Sequence, residues 1–166
     1  MSKKEKLPST AAVRALKAAK VSFTPRPFAY EPKGGTAVSS RELGVDERQV
    51  IKTLIMEADD GAPLAILMHG DCQVSTKALA RHMGVKGVAP CDPLVAERHT
   101  GYQVGGTSPF GMRRAMPIFA EASIRDLPRL FINGGGRGFL VEIAPAALEE
   151  VLGVEWVEVA IPRPAR

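Results

Sequence analysis

The sequence predicts one compact α+β domain, and three observations support this fold class. With 166 residues, the chain is long enough to enclose one hydrophobic core, and two independent domains are not expected. Apolar residues make up 45% of the chain, which is usual for a globular protein. Short helix and strand patterns alternate along it without an internal repeat or a linker. We place the domain at residues 9–160 and expect residues 1–8 and 161–166 to be flexible tails.

A helix cap and a pair of prolines define the first two elements. Thr10, together with Ser9, is a typical N-cap, and apolar residues at helical spacing continue to Lys20. Residues 21–28 favour an extended edge strand, because their two prolines lack the amide hydrogen that an inner strand needs. A glycine-containing loop then leads to a short helix over residues 36–43, which ends before a glycine.

The middle of the chain predicts a β-hairpin followed by two helices. The apolar runs 50–58 and 62–69 flank an Asp-Asp-Gly turn signal. A helix over 75–83 begins at a serine cap and ends before a glycine, and a short strand over 86–89 follows it. The next helix, over 92–99, begins with Asp-Pro, which suits a cap and a first helical turn.

The last third of the chain contains a second glycine-rich segment, residues 134–138, between two strand patterns. We interpret it as a hairpin-like turn, because a nucleotide-binding glycine loop would join a strand to a helix. In chain order, the remaining predicted elements are a strand over 115–120, a helix over 123–127, strands over 129–133 and 139–143, a helix over 144–152 and a strand over 155–160.

Composition limits the classes of partner. The net charge of +4 and the isoelectric point of about 9.3 are compatible with a polyphosphate or nucleic-acid partner. Aromatic residues are only 5%, which argues against a platform that stacks single-stranded RNA bases. The longest uncharged apolar run, residues 62–68, is too short to span a bilayer, and no apolar signal core follows the basic start. Cys72 and Cys91 give no disulfide framework, so we expect a cytoplasmic protein without a membrane partner.

Residues 105–111, Gly-Gly-Thr-Ser-Pro-Phe-Gly, form the first candidate for a functional segment. Glycine lets backbone N–H groups approach a ligand, so this loop suits donors aimed at a carbonyl or phosphate oxygen. Arg98 lies just before it, and Arg113 and Arg114 follow it. The alternative is that the segment is only a turn.

Lys52 is the second candidate, because it interrupts an apolar strand. In a strand its side chain shares a face with Val50 and Leu54, and a charge on an apolar face is costly without a partner or ligand. The functional interpretation is an ammonium donor for a phosphate or carbonyl oxygen. The alternative is an edge-strand lysine whose amine reaches solvent.

Other chemistries are weakly supported. Five side chains could be imagined as zinc ligands, but no CxxC pair is present, so structural cysteines and surface histidines are favoured: His69, Cys72, His82, Cys91 and His99. A Cys–His hydrolase stays open, although neither cysteine lies in a recognisable nucleophile elbow. The chain lacks a P-loop and a dinucleotide-binding glycine motif, so we expect no cofactor and no metal.

Three segments together resemble one known family. V-I-K-T-L at 50–54, R-x-T-G-Y-x-V-G-G-x-S-P-x-G at 98–111 and G-G-x-R-G at 134–138 are similar to the YbaK/EbsC aminoacyl-tRNA deacylases. These enzymes are relatives of the editing domain of bacterial prolyl-tRNA synthetases. The resemblance covers about residues 9–160 and implies a central mixed, barrel-like β-sheet surrounded by helices. It also implies hydrolysis, in trans, of the ester that joins a wrong amino acid to tRNA, commonly tRNA(Pro), with the acceptor end as the recognised part.

The resemblance also assigns roles to residues. Lys52 matches the family's essential lysine, which would bind the phosphate of the terminal adenosine or orient the ester. Gly105 matches the loop glycine whose backbone would touch the aminoacyl carbonyl or the ribose. The family works without a metal or an enzymic nucleophile, so water or a group of the substrate attacks the ester. The remaining residues expected to bind substrate are Phe28, Tyr30, Thr53, Gly106, Ser108, Gly134, Gly135, Arg137 and Leu140.

Two positions depart from the family pattern. Well-known Cys-tRNA deacylases carry a tyrosine and an aspartate where this chain has Phe28 and Leu140. We therefore expect a less polar amino-acid pocket, so that cysteine, alanine or another small amino acid all stay open as the group removed. Tyr30, two residues after Phe28, would be able to restore the hydroxyl.

Two alternative functions remain open. One is a non-catalytic module that binds tRNA or a synthetase, and the other is a hydrolase of another acylated small molecule. Prolyl-tRNA synthetase is an additional partner that the resemblance suggests without requiring it. The sequence predicts no oligomeric state.

Overall fold

A central mixed sheet organises residues 7–163, the part of the chain that the computed structural model describes. Eight strands form this sheet, and β4 and β10 form a separate two-stranded sheet. The strands are β1 (Thr24–Pro27), β2 (Val50–Ala58), β3 (Pro63–His69), β4 (Cys72–Val74), β5 (Val88–Pro90), β6 (Ile118–Glu121), β7 (Leu130–Gly136), β8 (Phe139–Ile143), β9 (Glu155–Val157) and β10 (Ala160–Pro162).

The helices are short and most begin or end at the residues that the sequence indicated. They are α1 (Ala11–Ala18), α2 (Gly35–Leu43), α3 (Thr76–Met83), α4 (Pro93–Thr100) and α5 (Ala146–Leu152). The side chains of Thr10, Ser75 and Asp92 accept backbone N–H groups at the starts of α1, α3 and α4. Gly44 and Gly84 end α2 and α3 in the left-handed conformation that glycine adopts easily. These caps confirm the predicted helix boundaries.

The strand order in the large sheet is β1-β8-β7-β2-β3-β6-β9, and β5 pairs with the end of β2. The hairpin β2–β3 is antiparallel, as its Asp-Asp-Gly turn predicts, whereas β2–β7, β3–β6 and β6–β9 are parallel. Pro25 and Pro27 keep β1 at the edge, as predicted. The pairings among the described residues form an open path from β1 to β9, because the prolines of β1 cannot donate to a further strand.

One face of the sheet is covered by α1 and α5. Its strands contribute apolar side chains that are buried against these helices, with Leu67 and Ile132 wholly inaccessible to solvent. Phe110, in the glycine-rich segment 105–111, and Tyr102, just before that segment, belong to the same cluster. Burial of this face supplies most of the hydrophobic core.

The opposite face carries two separate apolar clusters. The Met68 cluster packs beneath α3 and contains Met56, Leu64, Ile66, Met68 and Leu79. The Phe131 cluster lies near the end of α2 and contains Val50, Phe131 and Leu140, with Phe28, Leu43 and Val45 packed against them. The space between the two clusters is where the candidate site lies.

The structure departs from the sequence-based prediction in several places. The strand predicted over 155–160 ends at Val157 as β9, the strand predicted over 115–120 begins only at Ile118, and Glu47–Gln49 form a 3-10 helix that was not predicted. β7 continues through Gly136 instead of ending at Asn133, because a shift in its pairing with β8 accommodates the glycines that were predicted as a loop. The short segments β4 and β10 pair with each other, and β4 was not predicted as a strand. Residues Ala122–Asp126 form a 3-10 helix where a short helix over 123–127 was expected.

The expected tails lie mostly outside the described residues. Residues 1–6 and 164–166 are not described, so the prediction of flexible ends stays a prediction there. Leu7 is partly buried against the core, and Ala160–Pro162 is paired with β4. The paired strand therefore continues past residue 160, the predicted boundary of the domain. Across residues 7–163, no helix has both the length and the apolar character required to cross a membrane.

Two Leu→Ala substitutions test this account of the core. Leu67 is 0% exposed and packs on the face covered by α1 and α5, whereas Leu94 on α4 is 70% exposed. We expect Leu67→Ala to lower the free energy of unfolding by about 2–5 kcal/mol, through lost burial and the cavity left behind. Leu94→Ala should change it by no more than about 0.5 kcal/mol. Urea unfolding of both variants measures the difference, and equal losses would contradict this assignment of the core.

Candidate functional site

Lys52 lies between the two apolar clusters on the second face of the sheet. Its neighbours on that face of β2 are Val50, in the Phe131 cluster, and Leu54, which packs against the Met68 cluster. On β3, the residue paired with Lys52 is Met68 itself. The structure thus places a half-buried ammonium in the gap between two hydrophobic surfaces, on the face that strand alternation predicts.

The charge of Lys52 is held in balance by burial and by nearby carboxylates. Burial lowers the pKa of the Lys52 ammonium below its ordinary value. The Glu47 carboxylate opposes this shift most strongly, with a smaller contribution of the same sign from Asp71, whereas the guanidinium of Arg163 adds to the lowering. The ammonium is therefore less hydrated than that of a surface lysine, and it faces a carboxylate that favours its charged form.

Glu47 is fixed in place by hydrogen bonds from two distant parts of the chain. Its carboxylate accepts hydrogen bonds from Thr36 Oγ1 at 2.8 Å and from Arg163 Nη2 at 2.8 Å and Nη1 at 3.1 Å. Thr36 Oγ1 also lies 3.2 Å from the Gly70 carbonyl oxygen. The hydrogen bonds from Arg163 are the main reason that the pKa of Glu47 is lowered. Glu47 therefore remains ionised near neutral pH and acts on Lys52 as a negative charge.

The glycine-rich segment 105–111 is connected through Asn133 to the sheet face that carries Lys52. The parallel pairing of β2 with β7 joins Val50 to Phe131 and Ile51 to Ile132, and the next residues in this register are Lys52 and Asn133. The two side chains therefore leave the same face of neighbouring strands. Asn133 Nδ2 donates a hydrogen bond of 3.1 Å to the Gly105 carbonyl oxygen, which fixes the loop above β7.

Tyr30 and Arg137 form a wall beside Gly105. Arg137 Nε donates to the Val104 carbonyl oxygen at 2.9 Å, and its guanidinium carbon lies 5.5 Å from the centre of the Tyr30 ring. A Cβ atom on Gly105 would come within 2.7 Å of the Tyr30 hydroxyl oxygen. Gly105 also has a φ of +88°. Glycine is thus required at this position both by the backbone conformation and by the tyrosine.

Phe28 and Leu140 lie together in the Phe131 cluster. Leu140 is paired with Asn133 on β7, so its side chain leaves the same face as those of Asn133 and Lys52. Phe28 N donates to the Gly138 carbonyl oxygen at 2.9 Å, and its half-buried ring packs against the cluster. Phe28 and Leu140 are therefore neighbours in one apolar cluster, on the sheet face that carries Lys52.

Other expected substrate-binding residues have packing roles in the structure. Ser108 is 0% exposed, and its hydroxyl accepts a hydrogen bond from Phe110 N. A Cβ atom on Gly134 would lie 2.5 Å from the Phe139 ring, and one on Gly135 would lie 2.9 Å from the Tyr102 ring. All three positions are therefore closely packed within the protein, and their binding of substrate stays a prediction.

Gly106 and Thr53 were also expected to bind substrate, and neither is simply exposed in an open pocket. A Cβ atom on Gly106 would lie 3.1 Å from Arg137 N, so this buried glycine packs against the second glycine-rich segment. Thr53 follows Lys52 and faces the opposite side of the sheet. Its hydroxyl is buried without a hydrogen-bond partner among residues 7–163.

Sequence reasoning missed Asn133 and Glu47. Asn133 accepts hydrogen bonds from Gly135 N at 2.6 Å and Gly136 N at 3.1 Å, in addition to anchoring the Gly105 carbonyl. An asparagine directly before a run of glycines is a signal for such side-chain to backbone bonding. Glu47 carries no comparable local signal, because the Thr36 and Arg163 side chains that hold it come from distant parts of the sequence.

The histidines and cysteines do not assemble into a second site. His69 is fully buried, with Nδ1 2.8 Å from the Arg48 carbonyl oxygen and Nε2 2.7 Å from Ser123 Oγ. No group of three or more metal-ligating side chains occurs within the described range, 7–163. Burial raises the pKa of the thiols of both Cys72 and Cys91, whereas a nucleophilic cysteine has a lowered pKa.

Comparisons with known proteins identify the family to which the sequence is similar. The model of the aminoacyl-tRNA editing domain family matches residues 31–151. A protein of Enterococcus faecalis named as a candidate Cys-tRNA(Pro)/Cys-tRNA(Cys) deacylase, EbsC, is 28% identical over 160 residues, which cover 96% of this chain and 98% of that protein. The proline–tRNA ligase of Ligilactobacillus salivarius is 28% identical over 109 residues, which cover 65% of this chain and 19% of the ligase.

Solved structures share the fold at low sequence identity. The crystal structure of a hypothetical protein superposes with a TM-score of 0.84 at 22% identity, and covers 91% of this chain and 99% of that one. The structure of a candidate trans-editing enzyme for prolyl-tRNA synthetase gives a TM-score of 0.80 at 19% identity, with 94% and 99% covered. These likenesses confirm the predicted single α+β domain with a mixed central sheet.

The electrostatic balance at Lys52 makes a pH prediction. Because burial lowers the pKa of Lys52 and Glu47 opposes that shift, Glu47→Gln should lower the pKa of Lys52 further. As the pH rises, Glu47→Gln should therefore lose any activity that needs the Lys52 ammonium at a lower pH than the unaltered protein does. Glu57→Gln is the control, since Glu57 lies on the same strand but on the opposite face. NMR titration of the Lys52 side chain tests this, and an unchanged pKa of Lys52 in Glu47→Gln would contradict the electrostatic influence of Glu47.

The close approach at Gly105 makes a second prediction. Gly105 and Gly61 have similar φ angles, +88° and +85°, but only at Gly105 would an alanine Cβ have other atoms within 4 Å. Alanine should strain the backbone by about 1–2 kcal/mol at either site, and Gly105→Ala should lose more because it displaces Tyr30. Adding Tyr30→Phe should recover part of the excess. Free energies of unfolding from urea titrations measure this, and equal losses for the two alanine variants would count against the contact.

Proposed function

The chain belongs to the aminoacyl-tRNA editing domain family, and from this premise we propose that it is a trans-acting editing hydrolase. Its substrate is mischarged aminoacyl-tRNA, in particular tRNA(Pro) carrying alanine, cysteine or another small amino acid. Water attacks the ester carbonyl carbon, the bond to the ribose oxygen breaks, and the products are the free amino acid and tRNA with a free terminal hydroxyl. Such a reaction would serve translation fidelity.

The observation that carries this proposal is the position of Lys52. A half-buried ammonium on an apolar sheet face, only partly compensated by Glu47, costs stability, and such a cost is typical of residues that serve a ligand. In our proposal Lys52 binds the phosphate of the terminal adenosine or polarises the ester carbonyl. An aminoacyl ester is already reactive, so positioning and electrostatic stabilisation of the developing negative charge are sufficient for catalysis.

The loop at Gly105 would hold the other side of the reacting group. Its backbone is exposed at Gly105 and is fixed by the hydrogen bonds from Asn133 and Arg137. A preorganised backbone needs no rearrangement when charge develops on the substrate. The Tyr30 hydroxyl lies against the same glycine and would supply the polar group that Phe28 lacks.

The amino-acid side chain would rest on the Phe131 cluster. Phe28 and Leu140 offer only apolar contacts there, so a small apolar side chain such as that of alanine fits at least as well as cysteine. EbsC is named for cysteinyl-tRNA. We therefore propose that this chain differs from EbsC in the breadth of amino acids it accepts.

A second candidate function is a non-catalytic module that binds tRNA or a synthetase. The replacement of two polar family positions by Phe28 and Leu140 favours it. The half-buried Lys52 and the loop fixed by Asn133 argue for retained chemistry. Turnover of mischarged tRNA separates the two functions.

A deacylation panel tests the proposed function. We expect the protein to hydrolyse Ala-tRNA(Pro) at least as fast as Cys-tRNA(Pro), and to leave Pro-tRNA(Pro) intact. Lys52→Met keeps the apolar stem but removes the charge, so it should lower kcat/KM by about 10²-fold or more. Lys86→Met, at an exposed lysine on the far side of the Met68 cluster, is the matched control.

Three outcomes would count against parts of this proposal. A folded Lys52→Met protein with normal kcat/KM would remove the lysine from the reaction. A marked preference for Cys-tRNA(Pro) over Ala-tRNA(Pro) would contradict the pocket argument. Hydrolysis of small aminoacyl esters without any activity on charged tRNA would favour a hydrolase of another acylated small molecule.

A further inference from the structure

The loop that carries Gly105 begins and ends at a cluster of basic side chains. Backbone hydrogen bonds from Arg113 N to the Thr100 carbonyl oxygen, 3.0 Å, and from Arg114 N to the His99 carbonyl oxygen, 2.8 Å, close the base of the loop. These bonds bring the end of α4, with Arg98, alongside the segment that follows the loop. We call the exposed side chains of Arg98, Arg113 and Arg114 the arginine surface.

The arginine surface carries positive charge that the protein itself does not neutralise. Within residues 7–163, none of its three arginines forms an ion pair with a carboxylate, whereas Arg26, Arg129 and other arginines of the chain do. The side chain of Arg114 instead lies 3.4 Å from His99 Nδ1, another basic group. Three exposed guanidinium groups without a carboxylate partner are suited to bind an external anion.

The end of α4 explains only part of this charge. A helix C-terminus carries about half a negative charge, and Arg98 in the last turn is sufficient to offset it. Arg113 and Arg114 come from a different segment and add two further charges. Guanidinium groups bind phosphate oxygens through paired N–H donors, which makes arginine better suited than lysine to a phosphate-rich partner.

We propose that the arginine surface is a docking site for the phosphodiester backbone of the tRNA acceptor stem. This inference rests on the proposed function, in which Gly105 holds the aminoacyl end, and on the position of the arginines at the base of the same loop. Double-stranded RNA is recognised mainly through its shape and its phosphates. The surface thus supplies affinity and orientation for the acceptor stem, without reading its sequence.

A second basic region offers an internal control. Lys77, Arg81 and Lys86 line a cleft of about 310 Å³ beside α3, away from the loop base. Lys77 and Arg81 are exposed and lie one helical turn apart, so their replacement removes two charges without touching the glycine loop. Comparing variants of the two regions therefore distinguishes docking at the arginine surface from a general effect of the protein's net charge.

The test compares salt dependence of binding between matched double variants. Affinity for uncharged tRNA(Pro) is measured between about 50 and 200 mM KCl for the unaltered protein, Arg113→Gln/Arg114→Gln and Lys77→Gln/Arg81→Gln, because counterion release gives each phosphate contact a slope of nearly one. Arg113→Gln/Arg114→Gln should weaken binding about 10-fold or more at 100 mM and reduce the slope by about 1.5–2. Lys77→Gln/Arg81→Gln should bind like the unaltered protein.

Hydrolysis of mischarged tRNA provides a second readout. Arg113→Gln/Arg114→Gln should raise KM for the charged tRNA about 10-fold or more with kcat within about twofold, because docking is remote from the ester. Arg113→Lys/Arg114→Lys retains the charge and should recover most of the salt slope. Thermal unfolding midpoints of all variants establish that the fold is kept.

Two results would overturn the inference. Equal losses of affinity in the Arg113/Arg114 and Lys77/Arg81 glutamine variants would show that net charge alone matters, and absence of tRNA binding by the unaltered protein would remove the partner. Binding with the expected slope but without hydrolysis would instead contradict the proposed function and leave the docking surface standing. The failure of one proposal is thus distinguishable from the failure of the other.

Discussion

The candidate site depends on the parallel register between β2 and β7. The pairing joins Val50 to Phe131 and Ile51 to Ile132, and then stops. Lys52 and Asn133 are the next residue on each strand, so they leave the same sheet face where the two strands part. Through Asn133 the register fixes the Gly105 carbonyl, and through Leu140 it brings in the apolar cluster. A one-residue slip would turn Lys52 into the core formed with α1 and α5, and would remove the site.

This register also accounts for the electrostatics of the site. Lys52 loses hydration because apolar clusters occupy both sides of it, and Glu47 partly compensates from the segment that enters β2. Glu47 is in turn held by Arg163, which follows the last strand, β10. Segments that are far apart in the sequence therefore favour the charged form of the Lys52 ammonium in a partly dehydrated environment. A charged side chain on an apolar sheet face lowers stability, and such unfavourable placements are characteristic of functional positions.

Much of this arrangement could be predicted from the sequence, and the remainder is physically understandable. The caps at Thr10, Ser75 and Asp92 and the prolines of β1 act locally, so their effects were readable. Alternation along β2 gave the face of Lys52. The three-residue strands β4 and β10 are too short for a pattern, and their pairing joins distant segments. The hydrogen bond from Asn133 to Gly105 and the burial of Ser108 likewise depend on tertiary packing, which a local motif does not encode.

The most direct test of the central claim is a crystal structure with a stable amide analogue of alanyl-adenosine monophosphate. The account predicts that the analogue lies between Lys52 and the Gly105 loop, with Lys52 Nζ within hydrogen-bond distance of its phosphate or carbonyl oxygen. The alanyl methyl group should contact Phe28 or Leu140. Binding elsewhere, such as in the cleft lined by Lys77 and Arg81, or binding that leaves Lys52 without a contact, would contradict the account.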